Sequence, residues 1–147
     1  MPPFVVLLCP TPLDPPRGNA VTVARIARGL RARGLDARVW HAPDAAAGAA
    51  LESEAAHARP ALVHAFHARH AGPLGRRLAA VAGAPLVITL TGTDVYEDLP
   101  HPARGPLVRE TLAAAAAATL SWNAVTAAAA ASVSRTRGPR AGWGRSS

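Results

Sequence analysis

Three short stretches of this 147-residue chain gather the residue types that do chemistry. The first is Arg17-Gly18-Asn19, a glycine and an amide side chain after a proline-rich run. If a helix begins there, its unpaired N–H groups favour a phosphate or another anion. Many strand-to-helix turns need a glycine and bind nothing, so that alternative stays open. The second stretch is His64-Ala65-Phe66-His67-Ala68-Arg69-His70, with histidines three apart. The spacing invites a metal reading, yet in a strand that runs into a loop the three side chains would not share a face, and no cysteine lies nearby. No metal site is expected. His67, at a strand's carboxyl end, is expected to contact ligand or backbone, and His64 is expected as a hydrogen-bonded core residue. The third stretch is Thr91-Gly92-Thr93-Asp94. A carboxylate there either caps a turn or sits on a crevice rim, where it binds a sugar hydroxyl.

These stretches need elements to hold them at one edge. Phe4 to Cys9 is a continuous apolar run, which suits a strand buried on both faces, and Pro10 ends it. Val23, Ile26, Ala27 and Leu30 then recur at helical spacing, with Asn19 a fitting N-cap and Gly34 a fitting stop. Asp36 to Trp40 reads as a short strand near an edge, and Pro43 to Arg59 as an alanine-rich exposed helix. Ala61 to Phe66 is the third strand. Leu74 to Val81 reads as a helix with Leu74, Leu78 and Val81 inward, closed by Gly83. Pro85 to Leu90 is the fourth strand and delivers Thr91 to Asp94. A helix from Leu107 to Ala118, a strand from Thr119 to Trp122 and a helix from Ala124 to Val133 complete the alternation. Strand and helix alternate throughout, which predicts an α/β fold: a Rossmann-like parallel sheet with helices on both faces. In such sheets ligands sit beyond the carboxyl ends of the strands, where all three stretches fall.

Composition limits the partners. The formal charge of +7 points toward nucleic acid, but all 16 basic residues are arginine and four of them lie after Ser134. The remaining 12 face 9 acidic residues, a balance of +3, and no aromatic residues are interleaved with them. No nucleic-acid partner is therefore expected. The single Cys9 excludes an internal disulfide and fits a reducing, cytoplasmic setting. The run from Thr111 to Val133 lacks charge, but alanine gains little in lipid and Ser121, Trp122, Asn123 and Thr126 interrupt it, so it is read as soluble structure. Contact with a membrane surface is left open. From Arg135 onward the periodicity disappears. The segment 135–147 reads as a disordered basic tail, or equally as GC-rich DNA translated out of frame.

Several strings occur in a telling order: Arg17-Gly18-Asn19 with Arg31-Ala32-Arg33-Gly34, then His64-Ala65-Phe66-His67, then Pro-x-Val-x-Thr-x-x-Gly-x-Asp from Pro85 to Asp94. From Phe4 to Val133 the chain resembles the N-terminal half of GT-B glycosyltransferases, the family 4-like group that includes sucrose synthases and phosphatidylinositol mannosyltransferases. Gly18-Asn19-x-Val21-Thr22, His67-Ala68-Arg69 and the run from Leu90 to Leu99 are similar to its selenosugar synthase branch, which joins a nucleotide sugar to selenophosphate.

The resemblance implies that residues 1–134 form the acceptor-side domain of a hexosyltransferase. Transfer from a UDP- or GDP-sugar would occur in a cleft against a donor domain, without a metal or other cofactor. Gly18 and Asn19 would approach the donor diphosphate. His67 and Asp94 would face the acceptor or the transferred sugar as the catalytic candidates, with Arg69, Thr91, Gly92 and Thr93 lining the binding site. Two departures stand out. Thr91 replaces a histidine found in many members, and the donor domain with its glutamate has no counterpart after Val133. The chain alone is therefore expected to be inactive. The alternative is a non-catalytic α/β module that binds a small anionic or phosphorylated ligand.

Overall fold

The computed structural model describes residues 2–120. Ser121 and Trp122 of the expected fifth strand, the expected helix from Ala124 to Val133 and the tail from Arg135 lie outside the described residues. Among the described residues the apolar runs become β1 (Phe4–Leu8), β2 (Asp36–Trp40), β3 (Leu62–Phe66), β4 (Leu86–Leu90) and β5 (Ala117–Leu120). They form one sheet in the order β2-β1-β3-β4-β5, with every ladder parallel. Helices α1 (Asn19–Arg31), α2 (Ala45–Ala58), α3 (Gly72–Ala82) and α4 (Gly105–Ala114) make the crossovers. The α/β, Rossmann-like arrangement expected from the alternation is thus present. None of these helices is long and apolar enough to cross a membrane.

The chain steps one way from β1 to β2 and the other way through β3, β4 and β5. Right-handed crossovers then place α1 on one face of the sheet and α2, α3 and α4 on the other. The core divides accordingly. Val6, Leu8, Val63, Ala65, Ile88 and Leu90 pack with Ala55, Leu78, Ala79 and Val108 on the three-helix face. Leu7, Ala37 and Phe66 pack with Ala20, Val23 and Ala27 under α1. The winding reverses between β1 and β3, the place where a sheet of this order opens a ligand crevice at its carboxyl edge.

Several local expectations change. Gly18, not Asn19, occupies the N-cap of α1, and no side chain caps that helix. The amides of Ala20 and Val21 are taken instead by the carbonyls of Arg17 and Gly18, at 3.0 and 3.2 Å, so the turn leaves no capping work for the Asn19 side chain. In α3, Val81 is 45% exposed rather than inward. The buried stripe is Gly72, Gly75, Leu78, Ala79 and Ala82, and small residues win it because α3 lies so close to the sheet. A Cβ on Gly75 would stand 2.9 Å from the Ala65 Cβ. Finally, α4 ends at Ala114 rather than Ala118, and β5 starts correspondingly earlier, at Ala117. Alanine favours helix, but the Ala116 amide bonds the Leu86 carbonyl at 2.8 Å and the sheet captures the run.

Candidate functional site at the carboxyl edge of β3 and β4

His67 ends β3 in an unusual backbone state. Its φ is 79°, in the left-handed region that costs a non-glycine residue roughly 1–2 kcal/mol. The local bonds hold it there: its carbonyl accepts the amides of Ala71 and Gly72, at 3.0 and 3.1 Å, and its own amide bonds the Thr89 carbonyl at 2.9 Å. The imidazole is folded back over this turn. Its Nδ1 accepts the Arg69 and His70 amides at 3.3 and 3.2 Å.

This fixes the chemistry of the ring. A nitrogen that accepts two N–H groups carries no proton, so Nε2 must carry it. Nε2–H therefore donates to the Thr93 Oγ1, 2.8 Å away. Burial depresses the His67 pKa below the usual histidine value; Asp94 and Asp98 oppose that shift, while His70 and Arg69 reinforce it. The ring is neutral, with its tautomer set by backbone.

Asp94 follows the β4 strand as the first residue of a one-turn π-helix, Asp94–Asp98. It is wholly buried. Its Oδ1 accepts the Thr91 and Gly92 amides at 2.9 and 3.0 Å, and its Oδ2 accepts the Ala68 amide at 2.9 Å. The rim position expected for this carboxylate is thus not where it lies. It serves as a bracket between the loops after β3 and β4, with both oxygens occupied by backbone. Of the two roles open to it in the sequence, the turn-capping one matches this geometry.

One π-turn later comes Asp98, only 2% exposed. Its Oδ1 lies 3.4 Å from the Arg69 Nη1 and 3.2 Å from the Arg104 Nε, and its Oδ2 lies 4.0 Å from the His67 Nε2. The Arg104 Nε is buried and within ion-pair reach, yet it is not aligned for a hydrogen bond. Arg104 reaches Asp98 because α4 begins at Gly105, where any Cβ would strike the Leu99 carbonyl. Both arginine side chains remain about one-third exposed. Two arginines thus share one buried carboxylate, and with Asp94 in the same cluster their two charges are matched by two carboxylates.

His70 is exposed and its ring lies 4.3 Å from that of His67, centre to centre. His67 and His70 do share a face, contrary to expectation, because the left-handed turn at His67 folds the loop back on itself. With Asp98 they bring three donor atoms within 4.8 Å of one another. Two features oppose a cation there. The His67 Nε2 has no lone pair to offer while Nδ1 holds two amides, and Asp98 already faces two guanidinium groups. His64 lies apart: its Nε2 is 2.7 Å from the Thr89 Oγ1, it stacks on Phe66 at 4.3 Å, and burial lowers its pKa to about 4.

Direct bonds therefore connect His67, Arg69, Thr91, Gly92, Thr93 and Asp94 of the expected site residues. Gly18 and Asn19 reach the same edge of the sheet, since β1 and β3 are adjacent and parallel, but among the described residues no hydrogen bond or ion pair ties them to this cluster. Gly18 has φ 51° and ψ −116°, and no atom lies within 4 Å of the Cβ it lacks, so its backbone faces open space. Sequence reasoning misses Asp98 and Arg104, and it reaches His70 only through the histidine spacing. The interval from Asp94 to Asp98 offers a signal for the first; nothing in sequence links Arg104 to either carboxylate. A separate open groove of about 740 Å³, lined by Pro73, Arg76, Arg77, Pro85 and Ala115 among others, lies at the opposite edge, by the start of β4. It contains none of the candidate site residues, and the convergence of charged and bonded groups favours the carboxyl edge as the site.

No protein-family model matches the chain, and no curated protein is similar to it at a significant level.

Proposed function

We propose that this fold is the acceptor-side half of a sugar-transferring enzyme of GT-B type, working against a donor domain that grips a UDP- or GDP-sugar. The observation that carries the reading is the pairing of two features at one edge. An open glycine turn after β1 and a bonded cluster with two partly exposed arginines after β3 and β4 flank the reversal of the sheet. The glycine turn suits a diphosphate, whose oxygens would take the N–H groups of Gly18 and Asn19. Arg69 and Thr93 face the reacting groups. Asp94 and His67 are positioning residues on this reading, because one is sealed from solvent and the other is directed at Thr93.

In the transfer, the nucleophilic atom of the acceptor bonds to the anomeric carbon while the bond to the diphosphate oxygen breaks, and that electron pair leaves with the nucleoside diphosphate. Guanidinium groups and N–H dipoles at the edge stabilise the charge that develops on the leaving group. The metal-free course follows the family resemblance. A cytoplasmic setting belongs to the same reading, resting on the single cysteine and the resemblance.

Sequencing the coding DNA past the Ser134 codon tests this. The expected result is a frame that encodes a second α/β domain with a donor-site glutamate, and release of nucleoside diphosphate once that domain is joined to residues 1–134. A second reading, an α/β module that binds a phosphorylated ligand without turnover, draws on the outward charge of Arg69 and Arg104. Binding that persists with no turnover in the joined protein selects it.

A further inference from the structure

The two faces of the sheet are covered unequally. On the three-helix face Val63, Leu86 and Ile88 are at most 3% exposed. On the other face α1 packs with Leu7, Ala37 and Phe66, so it lies over β1, β2 and the end of β3. The strand register carries that face onward, from Leu7 through His64 and Val87 to Ala117, and from Phe66 through Thr89 to Thr119. His64 and Val87 are only half-buried there, and Ala117 and Thr119 are exposed. Among the described residues no helix lies over this part of the sheet.

Geometry and chemistry both limit what can cover it. Strands about 4.8 Å apart make a five-strand sheet roughly 19 Å across, about the width of two helices. One helix beside α1 therefore closes the face, and about ten helical residues, roughly 15 Å, match the length of these strands. The His64 Nε2 lies 2.7 Å from the Thr89 Oγ1, which lies 2.7 Å from the Thr119 Oγ1. The polar groups of the face are thus bonded to one another across three strands, with no arginine or carboxylate among them. They call for a cover without charge and with side chains small enough to lie close.

The chain itself holds such a segment. It continues from the end of β5 into residues 121–147, outside the described residues, and carries no charge as far as Val133. Residues 124–133 are ten in number and six of them are alanine. We infer that residues 124–133 form a helix that packs on the open face over β4 and β5, completing the layer that α1 begins. The inference goes beyond the proposed function and stands without it. The other occupants are a second copy of the chain and a separate donor domain.

Hydrogen exchange and NOE spectra of the full chain test this, in wild type and in Thr119→Lys, which sets a charge on the face at an exposed position. In wild type the amides of residues 124–133 are expected to exchange at least about ten-fold more slowly than in an unstructured peptide, with NOEs from the Val87 methyls to alanine methyls of that segment. In Thr119→Lys both signals are expected to vanish while Val63 and Ile88 keep their protection. Should Thr119→Lys loosen β4 itself, the wild-type NOEs decide alone. A mixture of isotope-labelled and unlabelled chains separates the occupants: the NOEs must arise within one molecule, and NOEs between molecules place a second copy on the face and overturn the inference. Unprotected exchange throughout 124–133 in wild type overturns it and leaves the proposed function standing. Protection that persists in Thr119→Lys and in Val87→Lys alike means that the segment folds elsewhere, which also overturns it.

Discussion

At the residue scale, Asp94 has a role that its position in the sequence disguises. Its two oxygens take three backbone amides from two loops, and the carboxylate itself is wholly buried. Asp94→Asn removes one oxygen and turns an NH2 group toward an amide that needs an acceptor. The expected loss is about 2–3 kcal/mol of unfolding free energy, read as a lower urea midpoint at unchanged slope. Gly18 makes a different prediction. Its Cβ would meet nothing, so Gly18→Ala is penalised by backbone strain alone, about 1–3 kcal/mol. A larger loss of stability would mean that the turn carries contacts beyond its φ and ψ.

At the element scale, the position of α3 and α4 depends on glycine at close approaches. A methyl group added at Gly75 would meet Ala65 and stand 3.2 Å from the Leu86 side chain, and neither neighbour has room to retreat within the sheet. Gly75→Ala should therefore cost about 1–3 kcal/mol by overpacking, even though alanine is the better helix former. A melting temperature equal to or above wild type would show that α3 can lift off the sheet at no cost. Gly105→Ala acts on the start of α4, where the Leu99 backbone cannot yield. It is expected to shift Arg104 away from Asp98 as well as to lower stability, and the shift is visible in the side-chain NMR signals of Arg104. The ion pairs Arg77–Glu52 at 2.7 Å and Arg76–Glu110 at 2.9 Å link α3 to its neighbours but are solvent-exposed, each worth about 0–1 kcal/mol. Packing, and not these pairs, sets the helix layer.

For the whole molecule, the two histidines withdrawn from solvent, the partly buried His64 and the buried His67, make stability depend on pH. His64 titrates near 4 when folded and near the ordinary histidine value of 6.5 when unfolded. Between those values the unfolded chain binds more protons than the folded one, so stability is full above about pH 6.5 and falls as the pH drops toward 4. The shift corresponds to a loss on the order of 3 kcal/mol across that window. His67 is shifted in the same direction and adds to the slope. Urea unfolding at pH 7 and pH 5 should show lower stability at pH 5, and His64→Gln should flatten most of that difference. An unchanged slope in the variant would mean that His64 is already protonated in the folded protein.

The amino-acid sequence by itself determined the class of fold and most of its parts. Apolar runs such as Phe4 to Leu8 can satisfy their backbone and bury both faces only in a covered parallel sheet, and the glycines and prolines between them punctuate the elements. It also marked the carboxyl edge, because small polar residues cluster directly after β3 and β4. What it left open was anything that depends on contacts across the chain. The order β2-β1-β3-β4-β5 is set by which strands pair, and alternation alone is compatible with other orders. The end of α4 was decided by a ladder bond from Ala116 to Leu86 that outweighs helix propensity. The bonds from Asp94 to Ala68 and from Asp98 to Arg69 arose only when two loops met, since a carboxylate's partners across 26 or more residues have no signature in local spacing. His67 shows the division most plainly. Its residue type was legible, but its proton was placed by two backbone amides that a left-handed turn brought to Nδ1.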